Sequence, residues 1–124
     1  MPPLPRVVNY PHIPRFAPEP PVPLSADGAI PIDVDQVFLI NKAGSAAALT
    51  IAAPGAANIG RRIKVLTGSD FAHVVTFTGS TLRDGTTGAK ITWTAPAFEG
   101  AGAEFVATTA TRWLLQNKNL GTVA

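Results

Sequence analysis

Nine of the twelve prolines fall between Pro2 and Pro23, and a tenth, Pro31, follows soon after. Each proline fixes its own φ, removes a backbone donor and pushes the residue before it towards extended conformations, so neither a helix nor a central strand fits that stretch. Polyproline II and irregular extended structure remain. Residues 1–26 therefore read as an extended arm and residues 27–124 as one folded domain, since 124 residues supply one ordinary core and not two. At about 3.1 Å per residue the arm reaches roughly 70 Å, farther than a domain of this size is wide.

A solvated spacer carries Ser, Gly or Glu between its prolines. This one carries Leu4, Val7, Val8, Tyr10, Ile13, Phe16, Val22 and Leu24. Such a segment is expected to order on a partner, because proline has already removed part of the entropy that binding costs. The candidate partner-binding residues are Leu4, Val8, Tyr10, Ile13 and Phe16; His12 lies among them. Truncating Tyr10 or Phe16 at such an interface would cost about 2 kcal/mol per arm.

Beyond the arm, short alternating runs separated by turn residues predict strands near residues 35–41, 47–53, 61–67, 73–79, 89–95, 103–109 and 111–117. Leu49 and Ile51 flank Thr50, Val75 and Phe77 flank Thr76, and Ile91 and Trp93 alternate with Thr92 and Thr94. The apolar phase is the predicted core and the threonines the outer face. Asp27-Gly28, Pro54-Gly55, Asn58 to Gly60, Gly68 to Asp70, Asp84-Gly85 and Gly100 to Gly102 mark the turns. No ten-residue helical period lies between them. The predicted fold is all-β: a compact antiparallel sandwich or small barrel, because parallel strands need crossover helices for which there is no room. Residues 49–67 and 91–109 also echo each other at an offset of 42, pairing Thr50 with Thr92, Pro54 with Pro96 and Ile63 with Phe105. The two segments should form equivalent hairpins or corners.

Several kinds of chemistry are excluded by composition. Cysteine is absent, so there is no disulfide, thiolate site or cysteine nucleophile, and two histidines make a zinc site improbable; no cofactor or metal is expected. A net charge of +2 cannot supply a phosphate-tracking surface, and no phosphate-cradling glycine loop is present, so nucleic acid and nucleotide hydrolysis are not expected. No stretch is long and apolar enough for a membrane helix, and the N-terminus lacks the apolar core of a secretory signal, which predicts synthesis in the cytoplasm. Asp27, Asp70 and Asp84 sit in turns, where carboxylates bond backbone amides. Asp33 and Asp35 share one face of an extended segment but fall short of the oxygens calcium takes. Ser69, Asp70 and His73 include hydrolase residue types without a nucleophile elbow, and His73 opens a strand, where a structural role is expected. Arg62 and Lys64 share a face, which reads as a solvated or subunit-pairing edge. Trp93 and Trp113 fall on the apolar phase of their strands, which reads as core packing; exposed, they would be a sugar platform.

From Asp35 to Gln116 the order of elements resembles small virion proteins of tailed bacteriophages. The resemblance rests on the Ala-rich strand ending in Ala-Pro (Leu49 to Pro54), the basic-apolar strand Arg61 to Leu66, His73 to Phe77, the Gly-rich turn before Ala103 to Ala107, and the terminal Arg-Trp-Leu-Leu (Arg112 to Leu115). It implies a β-rich, commonly trimeric module that serves as capsid decoration protein or tail-fibre part, and it assigns no site residues. Only 15% of residues are charged, against about 25% in an ordinary soluble protein, which suits a surface covered by partners. The expected function is a non-enzymatic structural virion protein on the capsid exterior, a homotrimer over subunit junctions whose arm binds neighbouring major capsid protein subunits. The alternative is a tail-fibre or adhesin module that binds host-surface glycan.

Overall fold

The computed structural model describes residues 19–83, 87–93 and 100–124. Among the described residues it is all-β, with two sheets facing each other and one short 3₁₀ turn, Ala56–Asn58. In chain order the strands are β1 (Val22–Leu24), β2 (Gly28–Ala29), β3 (Gln36–Ile40), β4 (Ala48–Ala52), β5 (Arg62–Thr67), β6 (Val74–Thr78), β7 (Thr81–Arg83), β8 (Thr87–Gly88), β9 (Lys90–Trp93), β10 (Gly102–Thr109), β11 (Arg112–Asn119) and β12 (Gly121–Val123). Seven strands form one sheet in the order β1-β3-β5-β10-β11-β7-β8, and five form the other in the order β12-β9-β6-β4-β2.

All seven predicted strands are present, but their orientation differs from the prediction. Half of the ten strand pairings among the described residues are parallel: β1 with β3, β3 with β5, β2 with β4, β4 with β6, and β7 with β11. The antiparallel expectation assumed that a parallel crossover requires a helix. Here the crossover is a strand of the opposite sheet. From β1 to β6 the chain alternates between sheets at every step, so β4 lies within the connection from β3 to β5, and β5 within the connection from β4 to β6. Three stacked rungs result, and each link needs only to span the roughly 10 Å between sheets. The last residues of the stretch read as the arm, Val22–Leu24, are among the described strands, and residues 1–18 lie outside the described residues. Val22–Leu24 is an edge strand in which Leu24 packs on the core, and Pro23 is tolerated there because only one side of an edge strand needs donors.

The core sits between the sheets and follows the alternation. Phe38, Ile40, Ile63, Val65, Ala103, Phe105, Ala107 and Trp113 face inward from the larger sheet, and Leu49, Ile51, Val75, Phe77, Ile91 and Trp93 from the smaller one. Phe77 meets Phe105 edge-on across the gap, with ring centroids 5.1 Å apart. Thr50, Thr76 and Thr92 are half-buried and Thr78 exposed on the outer side of the smaller sheet, as the alternation predicts, and Thr94 lies outside the described residues. In the 42-residue echo, β4 and β9 belong to the smaller sheet and β5 and β10 to the larger, and the echoing Ile63 and Phe105 are directly paired; residues 94–99, the corner of the second copy, lie outside the described residues.

Candidate functional site

Four adjacent strands, β3, β5, β10 and β11, build the outer face of the larger sheet, and their registers set residues from distant parts of the chain in rows. One row is polar: Val37 on β3 pairs with Lys64 on β5, Lys64 with Glu104 on β10, and Glu104 with Asn117 on β11. On one side of it lies Leu39, Leu66 and Gly102; on the other lie Arg62, Val106 and Leu114. Leu39, Leu66, Val37 and Val106 are half-buried although they point away from the core, and Leu114 is exposed. The face is therefore a furrow with Lys64, Glu104 and Asn117 along its centre, Leu39 and Leu66 on one margin, and Val106 and Leu114, beside Arg62, on the other.

The furrow is bordered by Glu19, Asp35, Gln36, Val37, Arg62, Lys64 and Glu104 at one end, and continues past Lys64 and Glu104 to Gly100, Gly102 and Asn117 to Asn119. Several of its charged groups are tied to their neighbours. Asp35 accepts from Arg61 Nη1 at 3.2 Å and from the Arg62 backbone amide at 3.1 Å, and the amide bond above all, with the two arginines, holds its carboxyl below the usual range. Arg62 Nη1 donates to Gln116 Oε1 at 3.3 Å, and Asn117 Nδ2 donates to Glu104 Oε1, also at 3.3 Å. Asp35 thus anchors the start of β5 through Arg61 and Arg62, which accounts for it without a cation. Among the described residues no three His, Asp or Glu side chains gather as a metal site.

Ser69 and His73 do meet, in the reverse sense to a hydrolase. His73 is buried, and its Nδ1 accepts the Ala47 backbone N–H at 2.9 Å, so the neutral ring carries its proton on Nε2. That nitrogen faces Ser69 Oγ at 3.1 Å and the Ser69 carbonyl at 3.0 Å, while Ser69 Oγ donates to the Lys42 carbonyl at 2.8 Å. The imidazole donates a hydrogen bond to the serine instead of accepting one, so the pair fastens the 42, 47 and 69–73 segments together. This is the structural role expected of His73. Asp27 acts similarly, accepting from Lys42 Nζ and from the Ala48 backbone amide, both at 2.9 Å; the amide bond first and Lys42 next keep its pKa low.

Burial lowers the pKa of His73 below its ordinary 6.5, with the charge of Lys42 adding to it and the bond to the Ser69 carbonyl opposing. Below about pH 6.5 the unfolded chain takes up a proton that the folded chain resists, so this contribution to stability is whole above that pH and lost as pH falls towards the folded value. Urea unfolding at pH 7.5 and pH 5 is expected to show a lower midpoint at pH 5, and His73→Ala is expected to flatten that difference. The same substitution leaves the buried Ala47 N–H without an acceptor and should cost about 2 kcal/mol at pH 7.5.

Trp93 and Trp113 are fully buried, as the alternation predicts, and each satisfies its indole N–H, Trp93 on the Asn119 carbonyl and Trp113 on the Ala52 carbonyl, both at 3.1 Å. A sugar platform built on either is thereby removed. Leu4, Val8, Tyr10, Ile13 and Phe16, with His12, lie outside the described residues, as does Asp84. The furrow itself was missed in the sequence apart from the shared face of Arg62 and Lys64, because its rows depend on which strands are neighbours. No helix among the described residues is long and apolar enough to cross a membrane. In comparisons with known proteins, no family model, no curated protein and no solved structure matches the chain.

Proposed function

We propose that the chain is a structural virion protein of the capsid decoration type, whose body sits on a bacteriophage shell and whose N-terminal segment contacts neighbouring subunits of the major capsid protein. The observation that supports this reading is the outer face of the seven-stranded sheet. Its apolar margins and central charges have the mixture found at protein interfaces, and Glu19, the residue that follows Pro18 in sequence, borders it. The resemblance of residues 35–116 to small tailed-phage virion proteins points the same way. Three such chains in a trimer would present three segments at once, and tethering raises their effective concentration at the shell into the millimolar range.

The test is co-sedimentation with shells of the phage that encodes the chain, using the full chain and residues 19–124, which retain every described strand. The full chain is expected to pellet with shells, and the truncated chain to bind at least about tenfold more weakly. Equal binding would remove the segment from the mechanism, and no binding of the full chain would overturn the decoration reading.

A further inference from the structure

The strands that end the two sheets are short: β1 and β12 have three residues each, β2 and β8 two, whereas β5 has six and β10 and β11 eight. A short edge offers another chain few groups to pair with. On one side of the sandwich the edges also close on each other, since a Cβ on Gly88 of β8 would lie 2.5 Å from a Val123 methyl of β12. β1 and β2 end the sheets on the opposite side, and there the backbone itself is altered.

In a parallel pair only alternate residues of a strand bond to the neighbour, and those between turn their backbone groups away. On β1 the Leu24 carbonyl accepts the Asn41 N–H at 3.1 Å, so Leu24 and Val22 face β3 while residues 21 and 23 face outward. Both are proline. On β2 the ladder continues as the Ile30 N–H donates to the Thr50 carbonyl at 2.8 Å, so residues 29 and 31 face outward, and residue 31 is proline. Proline at an outward position leaves the native ladder intact and removes a donor that an added strand would need. Of positions 21, 23, 29 and 31, only Ala29 keeps its N–H. Pro21, Pro23 and Pro31 are all exposed.

We infer that this side of the sandwich is closed to strand addition, with Pro21 and Pro23 barring a second copy of the chain from pairing along β1 and Pro31 doing the same along β2. Partners then meet the faces of the sheets and not their edges. The inference concerns the free chain and does not rest on the shell reading.

Restoring the donors tests it. Pro21→Thr with Pro23→Thr gives β1 two outward N–H groups on a residue suited to strands, and two such edges pair antiparallel about a two-fold axis. Light scattering over a concentration series is expected to show that variant doubling its mass where the unaltered chain does not change. Pro20→Thr is the control: it removes a neighbouring proline on the inward phase, ahead of Val22, the first paired residue, and should leave the mass unchanged. Hydrogen exchange reads the phase directly. In the dilute variant the amide introduced at position 23 should exchange at least about tenfold faster than that of Leu24, and should slow as the mass doubles. Should the double variant fail to fold, Pro23→Thr alone carries the same two readouts. A folded variant whose mass stays constant, a Pro20→Thr chain that associates equally, or an amide at position 23 already protected in the dilute variant would each overturn the inference.

Discussion

Trp113→Ala is expected to remove about 4 kcal/mol of folding stability, a large fraction of the 5–15 kcal/mol that holds a domain of this size together. Trp113 is fully buried between the sheets, so the substitution deletes one of the two largest core side chains and leaves a void that neighbouring strands, fixed by their ladders, fill only in part. It also removes the indole N–H that bonds the Ala52 carbonyl at 3.1 Å, a direct tie from β11 in one sheet to β4 in the other. Leu114, the next residue, points outward and is exposed, and Leu114→Ala should cost no more than about 1 kcal/mol. Urea unfolding followed by far-UV circular dichroism measures both. A Trp113→Ala cost below about 1.5 kcal/mol, or a cost equal to that of Leu114→Ala, would contradict the packing between the sheets.

The contrast between those neighbours is the part of the fold most legible in the sequence. Alternation of period two separates inside from outside without reference to any other strand, and it located seven strands and the inward phase of both tryptophans. It carries no information about direction, because parallel and antiparallel strands bury the same alternate residues. The parallel rungs from β1 to β6 therefore stayed hidden, as did the five strands of two or three residues, each defined by a neighbour's ladder, as Gly28–Ala29 is by β4. The site follows the same division. That His73 would be structural was readable from its place at the start of a strand, but its partner Ala47 N–H, on a different rung, was not. Arg62 and Lys64 were readable as one face of β5, whereas Glu104, Asn117 and Leu114 join that face only through the order β5-β10-β11, which is a property of the assembled sheet.

The same sheet order makes Gly102→Ala the second large effect, expected to cost about 3 kcal/mol or to prevent folding. Gly102 stands at the head of β10 between Leu66 of β5 and Asn119 of β11, in the middle of the seven strands. A Cβ there would lie 2.4 Å from the Val65 carbonyl oxygen and 3.0 Å from a Leu66 methyl. The obstructing atom is backbone of a paired central strand, so no rotamer change relieves it; β5 and β10 must part, and their ladder includes Phe105 opposite Ile63 at the core. Gly60 needs glycine for a different reason. Its φ of 93° suits glycine, but a Cβ there meets nothing within 4 Å, so Gly60→Ala should cost only about 1 kcal/mol. Thermal unfolding of the two variants therefore ranks close packing against backbone strain. Gly102→Ala should be the more damaging by a clear margin. A Gly102→Ala protein as stable as Gly60→Ala would mean that β5 and β10 are not held at this spacing, and the rows of the outer face would have to be drawn again.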